Sequence, residues 1–224
     1  MASLHDCSDG AELLTGMRLA RTAIGRGELV VIPTDTVYGI AADAFSPAAV
    51  KRLVGAKGRT APPPVLIPGI PTLDALAERV PDEVRALVDR FWPGGLTIIV
   101  PARPFLEWDL GETNGTVALR MPRNRIALEL LNDTGPLAVS SANLTGQPPA
   151  TTAQEAMRML GDSVQVYLDD GPAGSDYDHG DRDPASTIVD ATRLTRGTGK
   201  LRIVRHGVIA DADILDVVGA DACE

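Results

Sequence analysis

Short apolar runs alternate along the chain with segments of helical period, and this alternation limits the fold more than any other feature. Runs of strand length occur at 29–32, 65–67, 96–100, 116–119, 137–139, 164–168 and 186–189, and helix patterns at 11–24, 47–56, 72–79, 82–91, 125–131 and 152–160. Strands alternating with helices predict an α/β fold with a largely parallel or mixed sheet flanked by helices. Local signals agree. Pro81 followed by Asp82 and Glu83 opens a helix with acids at its positive end, and Thr152 with Glu155 forms a capping box. No repeat, low-complexity tract or linker interrupts the 224 residues, so one domain over 1–224 is expected. Ligands of such sheets gather at the carboxyl ends of strands, which makes the strand-to-loop junctions the place to look for chemistry.

Several function classes are disfavoured. No apolar run approaches 18 residues, so no membrane-spanning helix is expected. The polar start, with Asp6 and Asp9, does not read as a secretory signal, and a cytoplasmic location follows as the expectation. Cys7 and Cys223 stand at opposite ends and encode neither a disulfide framework nor a CxxC pair. His5, His179 and His206 are scattered, and no protein metal site is expected. Gly197-Thr198-Gly199-Lys200 fails as a phosphate loop, because Leu194 and Leu201 occupy positions that need Gly and Ser or Thr. GxSxG and GxGxxG are absent. The net charge of −9 argues against a general nucleic-acid binder and against direct tRNA binding. Yet segments 51–59, 120–125 and 193–205 hold 12 of the 21 Lys and Arg residues, a clustering suited to an anionic small molecule.

Five segments carry candidate chemistry. Val30–Ile32 runs into Pro33-Thr34-Asp35-Thr36, which delivers hydroxyls and a carboxylate at a strand end, or else forms an ordinary Asx or Ser/Thr turn. Lys57 and Arg59 follow a helix and, on extended backbone, would face one way toward a polyphosphate. Alternatively they are solvated cations that favour a helix C-terminus. The strand 137–139 ends in Ser140-Ser141-Ala142-Asn143, small polar residues that let a ligand approach the backbone. Arg120 closes an apolar strand, either as a carboxylate anchor or as the partner of a structural Asp. In 201–207 charged and apolar positions alternate, with Arg202 and Arg205 available for phosphates.

In this order the segments resemble the YrdC-domain threonylcarbamoyl-AMP synthases. The landmarks are PTDTVYGIAADA (33–44), AKGR (56–59), FWPGGLTIIV (91–100), VALRMP (117–122), SSANLTGQPPATTAQE (140–155), STIVD (186–190) and RHGVI (205–209). The resemblance implies a single YrdC-like domain with an open, twisted mixed sheet and a concave, positively charged cavity. It implies Lys57 and Arg59 as catalytic residues, with Thr116, Ser141, Asn143, Thr151 and Arg205 joining them around ATP. Thr36, Arg120, Ser141 and Ser186 match threonine-site positions. Pro63, Pro68 and Ala185 stand where many members carry Asn, His and Glu.

The implied reaction makes L-threonylcarbamoyladenylate and pyrophosphate from L-threonine, bicarbonate and ATP. Mg²⁺ would ride on the nucleotide, and the product would pass to a tRNA threonylcarbamoyl-transferase complex. A rival of another class is an RNA-binding module of translation or ribosome assembly using the same basic cavity; the net charge counts against it. A carbamoyl-adenylate enzyme like the related domain of hydrogenase-maturation proteins is a second rival. Finally, 171–183 (GPAGSDYDHGDRD) is rich in Gly and Asp and leads into Ser186. It is expected to be an irregular, mobile loop able to gate the site.

Overall fold

The computed structural model describes residues 2–58 and 61–224. In chain order the elements are β1 (Ser3–Asp6), α1 (Gly10–Gly25), β2 (Val30–Ile32), β3 (Gly39–Asp43), α2 (Pro47–Lys57), β4 (Val65–Leu66), α3 (Ile70–Leu76) and α4 (Asp82–Phe91). There follow β5 (Leu96–Pro101), β6 (Thr116–Arg120), α5 (Arg125–Thr134), β7 (Leu137–Ser141), α6 (Ala153–Leu160), β8 (Val166–Asp169), β9 (Thr187–Asp190), α7 (Thr192–Thr195), β10 (Arg202–Arg205) and α8 (Asp211–Val218). All described strands join one sheet in the order β1-β8-β2-β3-β7-β4-β6-β5-β9-β10. It is mixed: β2–β3, β3–β7, β4–β7, β5–β6 and β9–β10 pair antiparallel, while β1–β8, β2–β8, β4–β6 and β5–β9 pair parallel.

The helices begin where the sequence supplies caps. Asp9 accepts from Ala11 N and Glu12 N, Asn124 from Ile126 N and Ala127 N, and the Thr152–Glu155 box closes as expected. Ser46 caps α2 with Pro47 in its first turn, and Gly58 ends it in the left-handed region at φ +63°.

Three strands escaped the pattern of apolar runs. β1 (SLHD) is polar at all positions but Leu4, β3 (GIAAD) is mostly Gly and Ala, which lack β-propensity, and β10 is an edge strand whose Arg202 points to solvent. Tertiary pairing overrides propensity in each. Within β2 the period of two sorts side chains between faces: Val30 and Ile32 pack with α1 and α5, and Val31 with α2 and α6. On the other half of the sheet Ile98, Leu119 and Val189 bury themselves against Leu87 of α4 and Ile214 of α8. Among the described residues, no helix is long and apolar enough to cross a membrane.

Candidate active site

The residues that alternate with Ile98, Leu119 and Val189 face the other way. Thr97 and Ile99, Ala118 and Arg120, and Ser186 and Ile188 line a cleft of about 220 Å³ on the open face of the sheet. The cleft therefore spreads across the strands rather than sitting only beyond their carboxyl ends. The β2–β3 connection (Thr34, Thr36) walls one side, the end of α2 (Leu53, Lys57) and segment 61–64 another, and Ser140 and Ser141 of β7 complete the rim. Lys57, Arg120 and Arg205 bring positive charge to it, and no Asp or Glu is among its described lining residues.

Lys57 is the last residue of α2 and is buried, 4% exposed. This corrects both sequence expectations for it, since it neither follows the helix on extended backbone nor stands as a solvated cation. Its Nζ donates toward Ser141 O (2.6 Å), Asn143 O (2.7 Å), Asn143 Oδ1 (3.1 Å) and Ser141 Oγ (3.3 Å). The end of α2 is thus tied to the Ser-Ser-Ala-Asn turn after β7, and Thr145 Oγ1 returns a bond to Lys57 O at 2.7 Å. Arg59 lies outside the described residues.

Arg120 is buried as well, and it is the partner of a structural Asp while also facing the cleft. Its Nη2 donates to Asp35 Oδ1 (2.8 Å), Nη1 to Thr36 Oγ1 (2.9 Å) and Nε to Gly94 O (2.9 Å). Asp35 also receives Arg123 N on Oδ1 (2.8 Å) and the Tyr177 hydroxyl on Oδ2 (2.9 Å). Burial, the largest single influence, acts to raise the Asp35 pKa. The Arg120 charge, the Arg123 N–H and the Tyr177 hydroxyl together outweigh it and hold the carboxyl below its ordinary value. Burial and the neighbouring Asp35 push the Tyr177 phenol up to about 12, so it stays a neutral donor.

Across the cleft, Arg205 holds Ser186 through Nε to Ser186 O (2.7 Å) and Nη2 to Ser186 Oγ (2.8 Å), and Ser186 Oγ shares a 2.8 Å bond with Thr97 Oγ1. Gly207 allows this packing: a Cβ there would lie 2.4 Å from Ala185 O and 2.5 Å from Ser186 C. Gly207→Ala should cost about 1–3 kcal/mol of stability by overpacking against backbone, measurable by thermal unfolding, and should displace Ser186.

Of the residues singled out from sequence, Thr36, Lys57, Arg120, Ser141, Ser186 and Arg205 line this one cleft. Asn143 sits behind it, bonded to Lys57. Thr116 opens β6 and bonds Thr113 O, and Thr151 bonds Glu155 in the α6 cap; neither lines the cleft. Arg202 is exposed and lies 3.6 Å from Asp190. Pro63 and Ala185, two departures from the family pattern, do line it. Sequence reasoning overlooked Thr97, whose signal was a lone hydroxyl inside an otherwise apolar strand. It also overlooked Tyr177. The loop around Tyr177 is irregular, as expected, but it is anchored: Gly171 O accepts from Tyr38 Oη (2.6 Å), Ala173 N donates to Thr151 O (2.8 Å) and Arg182 Nε to Gly207 O (3.1 Å).

A large mixed sheet with a cleft on one face, lined by hydroxyls and by Lys57, Arg120 and Arg205, defines the class: an α/β protein with a small polar-lined site. A family described as telomere recombination (Sua5_yciO_yrdC) matches residues 22–207, and the chain belongs to this Sua5/YciO/YrdC family. A putative threonylcarbamoyl-AMP synthase of Mycobacterium tuberculosis is 45% identical over 224 residues, covering 99% of this chain and 98% of the relative. The structure of Pyrococcus abyssi Sua5 complexed with L-threonine superposes with a TM-score of 0.83 at 30% identity, covering all of this chain. This chain spans 62% of that protein's length. Escherichia coli YciO shares the fold, with a TM-score of 0.77 at 20% identity over 96% of this chain and 99% of its own.

Proposed function

We infer that this chain is a threonylcarbamoyl-AMP synthase, a nucleotidyltransferase that makes L-threonylcarbamoyladenylate and pyrophosphate from L-threonine, bicarbonate and ATP. The observation that carries the reading is the meeting of Thr36, Lys57, Arg120, Ser141, Ser186 and Arg205 around one cleft. In the first step the threonine amine takes up the bicarbonate carbon, losing water, to give an N-carboxylate. A carboxylate oxygen then attacks the α-phosphorus of ATP, and the bond to the pyrophosphate leaving group breaks.

No covalent enzyme nucleophile is required, so the residues act by positioning and charge neutralisation. Arg120 and Thr36, which bond to each other, are assigned to threonine, as is Ser186 across the cleft. Lys57, Ser141 and Arg205 are assigned to the nucleotide, with Arg59, Asn143, Thr116 and Thr151 as further candidates on that side. Among the described residues no three His, Cys, Asp or Glu side chains gather to hold a metal ion. Mg²⁺ is assigned to the nucleotide's own phosphates as part of the substrate. We place the enzyme in the cytoplasm with its substrates, and its product with a tRNA-modifying transferase that consumes it.

The test is pyrophosphate release with one substrate omitted at a time. Release should need ATP, threonine and bicarbonate together; equal release without threonine would leave only an ATP-binding domain.

A further inference from the structure

Loop 171–183 leans on the residues that hold Arg120. Gly174, at φ +85°, packs so closely on the β2–β3 connection that a Cβ there would lie 2.7 Å from Thr36 O. Three residues on, the Tyr177 ring covers Gly94 and Gly95, where an added Cβ would come within 3.2 Å of its hydroxyl. The ring also meets Arg123, whose guanidinium carbon stands 5.5 Å from the ring centroid. The ring position is thus fixed by packing, and its hydroxyl meets Asp35 Oδ2 at 2.9 Å. Asp35 Oδ1 is taken by Arg120 Nη2 and Arg123 N. A carboxylate held through one oxygen can turn about its terminal torsion, which is broad and soft. Anchoring the second oxygen removes that freedom and so steadies the acceptor of Arg120 Nη2, which completes the hold that Gly94 O and Thr36 Oγ1 have on the other guanidinium nitrogens.

We propose that Tyr177 is a positioning residue: its hydroxyl, by locking Asp35, sets the orientation in which Arg120 faces the cleft. On the reading above, which assigns Arg120 to threonine, Tyr177 tunes threonine binding without touching threonine.

Tyr177→Phe is the variant of choice because it keeps the ring packing and removes only the hydroxyl. In steady-state pyrophosphate release by the full chain, the threonine KM should rise about fivefold, less than the full worth of a hydrogen bond to a charged group because the lost bond reaches threonine only through Asp35 and Arg120. The ATP KM should stay at its wild-type value. An unchanged threonine KM, or an equal rise in both constants, overturns the proposal. A second readout does not depend on the reaction. The Arg120 Nε–H resonance, identified by its loss in Arg120→Lys, should shift in Tyr177→Phe and exchange with solvent about fivefold faster once its anchor loosens. If wild-type protein shows no threonine-dependent turnover, the functional reading falls, and this resonance alone decides the positioning role; an unmoved signal refutes it.

Discussion

Asp35→Ala should destabilise the protein by about 3–5 kcal/mol, because removing one partner of a buried pair leaves the other charge uncompensated. Both side chains are nearly sealed from solvent, 2% exposed for Asp35 and 7% for Arg120. For a chain of this size that corresponds to a fall of roughly 6–20 °C in melting temperature. The loss also frees the Tyr177 hydroxyl and the Arg123 N–H, which Asp35 now accepts. The double variant Asp35→Leu with Arg120→Met should recover most of the stability, since an apolar pair of similar volume avoids the desolvation cost. It should recover no activity, because the cleft then lacks Arg120, the residue assigned to threonine. A double variant as unstable as Asp35→Ala would show that the connection, and not the buried charge, is what matters. Acid should reveal the same linkage. Asp35 has a folded pKa below its unfolded value, so its stabilisation is complete above about pH 4 and fades as pH falls through the lowered folded pKa. Asp35→Asn, which cannot titrate, should therefore approach wild-type stability as the solution is acidified.

The pair also shows where the sequence was readable and where it was not. Strands with apolar runs, such as Leu96–Pro101 and Leu137–Ser141, announced themselves, as did the helices Asp82–Phe91, with its acidic first turn, and Ala153–Leu160, with its capping box. Gly39–Asp43 did not, because its Gly and two Ala outweigh the lone β signal of Ile40; the strand exists because β2 and β7 pair with it on either side. The cleft residues were legible as types and motifs, but their burial was not. Nothing local distinguishes a solvated lysine at a helix end from one driven into a turn 84 residues away. Arg120 left two readings open, anchor or structural partner, and in three dimensions it faces the cleft and pairs with Asp35 at once. Loop 171–183 was legible as irregular from its Gly and Asp content. Its hold on the site rests on Tyr177 and Arg182, whose partners lie 142 and 25 residues away. Long-range partners are what composition cannot supply.

Lys57→Ala should damage both fold and activity, and the two effects can be separated. The Nζ group bridges oxygens of Ser141 and Asn143, so its removal breaks charge-assisted bonds to buried acceptors and should cost about 2–3 kcal/mol. That exceeds the under 1 kcal/mol expected of an exposed cation at a helix end. Lys57→Met keeps most of the buried stem and should lose slightly less stability, while losing the charge entirely. If Lys57 serves only as a strut, kcat/KM measured at low temperature, where both variants remain folded, should stay near wild type. If its charge also steadies the phosphates of ATP, both variants should lose at least about tenfold, or 1.4 kcal/mol of barrier. The second outcome is expected, because Lys57 lines the same cleft as Arg120 and Arg205 and the reaction separates pyrophosphate from an adenylate. The loss should appear mainly in kcat, since charge on the leaving group grows between bound substrate and transition state. A Lys57→Met enzyme with wild-type kcat and an altered melting temperature would confine this lysine to holding α2 against β7.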